Sequence, residues 1–192
     1  MDIIIVILFS YLSGSIPFGL ILTRFFGGQD VRKIGSGNIG ATNVLRTGNK
    51  YLAATTLILD ILKGYAPVVV TQNYFPEYIQ LSALLAFLGH IFPLWLKFKG
   101  GKGVATYLGI LLALSYSLGF LFMFTWVAVS LIFRYSSLSS LIATLSIPLY
   151  LFIFLNSNDL FFFLIMFILV FFTHRENIKR LINKEESKTK IY

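Results

Sequence analysis

The chain is 192 residues long, 57% hydrophobic and 12% charged, with a mean hydropathy of +0.81. A soluble domain carries about 25% charged residues, so lipid is the expected solvent. The net charge of +8 then points to a membrane surface or an anionic small molecule, because too little soluble surface remains to bind nucleic acid.

The first apolar run, Ile3–Phe25, has Asp2 before it and Arg24, Arg32 and Lys33 at its far end. A signal peptide carries positive charge ahead of its apolar run, so this one reads as an uncleaved spanning helix. Tyr11, Ser13, Ser15 and Pro17 within it suit close helix packing or a kink. Further runs follow at Tyr51–Val70, Tyr78–Leu96, Val104–Leu118, Gly119–Phe133, Leu138–Leu155 and Leu160–Thr173. A span takes about 20 apolar residues; the first three runs qualify and the last four are short. The turn-formers Ser115-Tyr116-Ser117 and Asn156-Ser157-Asn158-Asp159 favour real breaks over two longer spans. The expectation is an all-α polytopic bundle of seven transmembrane helices, a single domain over 1–192. Its polar tail, 178–192, is mobile at the far end.

Charge placement agrees with seven. The even breaks, Thr71–Glu77, Ser115–Ser117 and Asn156–Asp159, hold no Lys or Arg. The odd breaks, Arg24–Lys50, Lys97–Gly103 and Arg134–Ser137, together with the tail from His174, hold every Lys and Arg except Lys63. The positive-inside rule then places the odd breaks and the C-terminus in the cytoplasm and the N-terminus outside. Basic residues in the tail also favour anionic headgroups.

The first odd break reads Gly35-Ser36-Gly37-Asn38-Ile39-Gly40-Ala41-Thr42-Asn43-Val44-Leu45-Arg46. Its G-x-G-x-x-G imitates a dinucleotide fingerprint, but that fingerprint needs a preceding strand in a βαβ unit, and this loop lies between membrane helices. The physical content survives. Glycines let backbone N–H groups approach an anion, Ser, Asn and Thr add neutral hydrogen bonds, and Arg46 offers a fork suited to phosphate. The plain alternative is a flexible connector.

The second segment runs from Gly89-His90-Ile91-Phe92-Pro93 to Lys97-Phe98-Lys99-Gly100-Gly101-Lys102-Gly103-Val104-Ala105-Thr106. It is not a P-loop, since Gly103 follows Lys102 where Ser or Thr is required. Three glycines around one Lys at a helix start still suit an anion. Lys97 and Lys99 read as interface anchors. Arg134-Tyr135-Ser136-Ser137-Leu138-Ser139-Ser140 is a third polar stretch, equally readable as a turn with a snorkelling Arg. His174 and Asn177 close the series, three apart and able to share a helix face, although a helix-end His is commonly structural. Asp60 and Lys63 lie inside the second span, where each charge costs roughly 2.5–3.5 kcal/mol; their i, i+3 spacing lets them pair, either structurally or for function.

Taken together, Ser13-Gly14-Ser15-Ile16-Pro17-Phe18-Gly19, the loop Gly35–Arg46, Asp60-Ile61-Leu62-Lys63-Gly64, Gly89–Thr106 and His174–Asn177 resemble the bacterial membrane glycerol-3-phosphate acyltransferases that use acyl phosphate. The stretches run in that family's order and cover nearly the whole chain. The resemblance implies a seven-helix inner-membrane enzyme with its site at the cytoplasmic face. It would move an acyl group from acyl phosphate to the sn-1 hydroxyl of glycerol 3-phosphate, giving lysophosphatidic acid and phosphate. The implied catalytic residues are Ser36, Arg46, Lys102, His174 and Asn177. The substrate-binding set is Gly37, Asn38, Thr42, Asn43, Lys50, Asp60, Lys63, Gly100, Gly101, Gly103, Thr106, Ser136 and Ser139. No cofactor or metal is expected. The expected partners are the two phosphate substrates, membrane lipid and an upstream enzyme that makes acyl phosphate, with no nucleic acid.

The absences fit direct transfer. There is no cysteine and no G-x-S-x-G elbow, and neither His90 nor His174 has an Asp five residues later. An activated acyl phosphate needs positioning and charge stabilisation more than a nucleophile. The competing reading is an organic-phosphate transporter. Transporters favour a midplane site between repeats, and no repeat is evident here.

Overall fold

The computed structural model describes residues 1–155 and 159–189, and these are helical with no strand. Among them four helices are long and apolar enough to cross a membrane, or six if two bent pairs each count as one span. The chain forms two compact units, Met1–Leu114 and Ser115–Tyr192.

In the first unit the opening apolar run is two helices, α1 (Asp2–Ser15) and α2 (Phe18–Phe26), bent by 42°. The cause is Pro17, which has no N–H to donate and disfavours helical geometry before it; Ile16 is extended, with φ −65° and ψ 118°. After α2 comes a folded loop containing the short helix α3 (Ala41–Val44). Leu20, Val31, Ile39, Val44 and Ala53 form a core beneath it, with Leu52 and Leu96 packed on its edge. This loop is therefore no flexible connector. Helix α4 (Lys50–Tyr74) begins where the Asn49 side chain accepts from the Leu52 N–H at 3.1 Å, an N-cap. Helices α5 (Ile79–Ile91) and α6 (Val104–Leu114) complete the unit.

Helix α1 packs on α5, and α4 on α6. In lipid, helices associate through small residues that let backbones approach, and glycines sit at both crossings. A Cβ on Gly14 would overlap the Ala86 backbone and one on Gly89 the Tyr11 carbonyl; Gly64 faces Thr106 and Gly109 faces Ile61 in the same way. Helix α6 has 11 residues, about 16 Å at 1.5 Å per residue, against a core of roughly 30 Å.

The second unit holds α7 (Tyr116–Phe133), α8 (Ser136–Tyr150) continued by a π-turn through Leu155, α9 (Leu160–Thr173) and α10 (Arg175–Ile182). The α9–α10 pair bends by 62°. The break expected at Ser115-Tyr116-Ser117 is found at Ser115, which is extended; α7 starts at Tyr116, earlier than the expected Gly119, and buries Leu118 and Gly119. The turn expected at Asn156-Ser157-Asn158 lies outside the described residues. In the tail, Thr189 donates its N–H to the Arg134 carbonyl at 2.7 Å; the far end, 190–192, lies outside the described residues.

Candidate active site

The loop before α4 is organised from within by Asn43. Its side chain is buried, and the amide donates to the carbonyls of Val31, Ile34 and Asn38 at 2.9, 2.9 and 2.7 Å. Its carbonyl accepts from the Ser36 N–H at 3.1 Å and from Arg46 Nη1 at 3.4 Å. Gly35 and Gly37 have φ of +53° and +70°, which glycine adopts without steric cost. A Cβ on Gly35 would also strike the Arg46 side chain, so Arg46 lies across this turn. Asn38 accepts from the Gly40 N–H at 2.9 Å. Ser36, Thr42 and Arg46 are left exposed on the loop's outer side.

Beside the loop, Asp30 accepts from Arg32 at 2.7 and 3.0 Å and from Arg24 at 3.0 Å. Hydrogen bonding from Arg32 holds the Asp30 carboxyl far below the usual range against the opposing effect of burial, with Arg24 adding to it, and the same pairing raises Arg32. Both groups stay charged at every ordinary pH.

After α5 the chain makes a tight knot. The Phe98 N–H reaches the Pro93 carbonyl at 3.0 Å, the Gly100 N–H reaches Ile91 at 3.1 Å and the Gly101 N–H reaches His90 at 3.1 Å. Closing it puts two non-glycine residues, Lys97 and Phe98, in the left-handed region at φ +53° and +61°. Gly103, at φ +87°, lies where a Cβ would overlap the Phe87 ring. Lys102 is half-buried between these glycines.

Loop and knot meet at a cavity of about 570 Å³, where Ser36, Gly37 and Asn38 face Lys97, Lys99 and Gly100, with Arg32 and Trp95 also on its wall. The structure therefore brings together four expected residues, Ser36, Gly37, Asn38 and Gly100. Lys97 and Lys99, expected as interface anchors, also line the cavity, while exposed Leu94 and Phe98 do not. The Ser36 hydroxyl, the Asn38 amide and the cations Lys97 and Lys99 around one hollow suit a phosphate.

Other expected residues are elsewhere in this unit. Lys50 borders a separate shallow depression with Thr47, Gly48, Asn49 and Tyr51. Asp60 and Lys63 are buried in α4 and paired at 2.7 Å. Gly101 and Gly103 are buried in the knot. Thr106 is fully buried at the α4–α6 crossing, and its hydroxyl has no hydrogen-bond partner among the described residues.

In the second unit, His174 is 1% exposed and its Nδ1 lies 2.8 Å from the Val170 carbonyl. A carbonyl only accepts, so Nδ1 carries a hydrogen. Asn177 donates to Glu186 at 2.6 Å, Ser137 donates to the same oxygen at 2.7 Å, and Arg180 donates to the other at 2.7 Å. Burial works to raise the Glu186 carboxyl, but these three hydrogen bonds outweigh it and hold it below the usual range. Ser139 is buried, donating to the Tyr135 carbonyl at 2.9 Å, while half-buried Ser136 accepts from Ser140 at 2.8 Å. Sequence reasoning missed Glu186 because its partners are up to 49 residues away and no spacing announces them. Among the described residues no trio of His, Cys, Asp or Glu is grouped to hold a metal.

Residues 4–184 match the model of a family described as glycerol-3-phosphate acyltransferase. A glycerol-3-phosphate acyltransferase of Pelagibacter ubique is 60% identical over the full length of both chains. One from Mesorhizobium japonicum is 54% identical over 97% of this chain and 95% of its own. The fold is similar to the crystal structure of PlsY, an integral membrane glycerol 3-phosphate acyltransferase, in its glycerol 3-phosphate form. The TM-score is 0.93 at 37% identity, over 99% of this chain and 96% of that one. The lysophosphatidic acid form of PlsY matches with a TM-score of 0.89 at 36% identity, over 98% and 95% of the two chains.

Proposed function

The chain belongs to the glycerol-3-phosphate acyltransferase family, and from that premise we propose that it takes its acyl group from acyl phosphate and transfers it by direct attack. It is an integral membrane acyltransferase of phospholipid synthesis that converts glycerol 3-phosphate to lysophosphatidic acid. The donor, the attacking hydroxyl and the residue roles are our reading.

Acyl phosphate is a mixed anhydride with an activated carbonyl. In the proposed step the sn-1 oxygen of glycerol 3-phosphate bonds to the carbonyl carbon, and the bond from that carbon to the phosphate oxygen breaks. Orthophosphate leaves and takes up the hydroxyl proton. No acyl-enzyme forms. The observation that carries this reading is the cavity in which Ser36, Gly37 and Asn38 face Lys97, Lys99 and Gly100: its side chains offer donors and cations suited to phosphate, and its one neutral nucleophile is a serine hydroxyl. Arg46 and Lys102 neutralise charge on the leaving phosphate, with Ser36 as a donor. Thr42, Lys50, Gly101, Gly103, Ser136 and Ser139 complete the proposed contacts, and Asn43 and Thr106 support them from behind. The resemblance adds His174 and Asn177 to the residues the reaction requires.

The proposed topology has seven crossings, the N-terminus outside and the site at the cytoplasmic face of the inner membrane. It is supported by the confinement of every Lys and Arg except Lys63 to the odd breaks and the tail. Acyl phosphate hydrolyses readily, so an enzyme making it must deliver it at the same face.

The test is reconstitution of the purified chain in lipid with glycerol 3-phosphate and either acyl phosphate or acyl-CoA. Lysophosphatidic acid from acyl phosphate alone, lost in Lys102→Ala, is the expected result. Product from acyl-CoA at an equal rate would reject the donor. Glycerol 3-phosphate flux into sealed vesicles without product would favour the transporter.

A further inference from the structure

Asp60, Lys63 and His90 are titratable side chains buried close together in the first unit, away from the cavity wall. Asp60 and Lys63 pair at 2.7 Å, each 3% exposed. Ionisable groups inside a membrane are expensive and are kept where they act on something. Lys63 Nζ also donates to the Ile16 carbonyl at 2.6 Å, at the point where α1 ends before Pro17. On the other side, Asp60 Oδ1 stands 4.0 Å from Nδ1 of His90, which is likewise 3% exposed.

His90 bears directly on the glycine knot. Its carbonyl accepts from the Gly101 N–H at 3.1 Å, and its ring lies where any Cβ on Gly101 would overlap Nε2 and Cε1. A chain of contacts thus runs from the kink at Ile16 through Lys63, Asp60 and His90 to Gly101, the residue before Lys102. A second tie parallels it: Trp95 Nε1 donates to the Ser15 carbonyl at 2.7 Å, and the Tyr11 hydroxyl donates to the Phe92 carbonyl at 2.7 Å.

We propose that His90 is a positioning residue whose ring, backed by the Asp60–Lys63 pair, props Gly101 so that the knot holds Lys102, the next residue, in place for a phosphate substrate. His90 does not touch the substrate; it acts through Gly101. The proposal rests on the acyltransferase reading above. Wild-type turnover tests that reading, and the variants below test only the prop.

The measurement is KM for glycerol 3-phosphate and for acyl phosphate, kcat, and melting temperature, on the full chain in lipid. His90→Ala is expected to raise at least one KM by about tenfold, as a misplaced binding group does, with kcat within about threefold of wild type and melting temperature nearly unchanged. His90→Gln, which refills the ring's volume and keeps a polar end toward Asp60, recovers part of the loss. Gly101→Ala raises the same KM because the Cβ meets the ring. The double variant His90→Ala/Gly101→Ala binds better than the product of the single effects, since the methyl occupies space the ring has left. Unchanged KM in His90→Ala, or effects that simply multiply, would overturn the proposal. So would a loss confined to melting temperature. If His90→Ala does not fold, His90→Ser, which also vacates the ring's space but keeps a polar end, reads the same coupling with and without Gly101→Ala.

Discussion

At Lys97 the backbone is left-handed, φ +53°, a conformation that costs a non-glycine residue about 1–2 kcal/mol. Such strain persists where the surroundings over-determine it and clusters at functional sites; here it turns Lys97 and Lys99 onto the cavity. Lys97→Gly should therefore raise stability by up to about 1 kcal/mol while raising KM for the phosphate substrates, most at low salt. Thermal unfolding beside kinetics at two ionic strengths checks both halves. Lys102 and His174 have different proposed tasks. Because the leaving phosphate can take the proton, His174→Ala should lose less activity than Lys102→Ala; equal abolition by both, with glycerol 3-phosphate binding intact, would make His174 a required base. Glu186 is 8% exposed and holds Asn177, Ser137 and Arg180. Its pKa is lower in the folded chain than the usual 4.5. Its stabilisation is therefore complete above about pH 4.5 and is lost as pH falls through the lower folded value. Glu186→Gln should melt earlier at neutral pH and show a flatter acid dependence than wild type in a melting series down the pH scale.

The helices depend on contacts that spacing alone does not reveal. Gly64 and Gly109 let α4 and α6 cross with backbones in contact. Gly64→Leu or Gly109→Leu should destabilise the first unit by about 1–3 kcal/mol or more, the usual cost of overpacking. Ala54→Leu on the exposed side of α4 should leave stability unchanged. Reversible unfolding in detergent distinguishes them, and equal effects would mean that the crossing is not tight in solution. The bend between α1 and α2 has a local cause in Pro17, but its use is not local, because the carbonyl at its corner receives Lys63 from α4.

Over the whole molecule, the proposed side of the membrane rests on charge placement. The chain has no cysteine, so single cysteines can report topology directly. Gln72→Cys should react with an impermeant maleimide in intact cells, and Lys33→Cys only after permeabilisation. The reverse pattern would invert the proposed orientation and move the site away from the cytoplasmic face.

Composition and hydropathy were enough to make this a helical membrane protein, because the bilayer admits few other ways to satisfy a backbone. Pro17, the glycine-rich loop, the Gly100–Gly103 stretch and the i, i+3 pair of Asp60 and Lys63 were legible because each is a local pattern. The tertiary structure decided what those patterns touch. It put Asn43 inside the loop as its organiser, turned Lys97 and Lys99 onto the cavity, set His90 beneath Gly101 and brought Glu186 back to Ser137. The physical reason is range: helical periodicity relates residues three or four apart, whereas these contacts join segments whose separation along the chain says nothing about their distance in space.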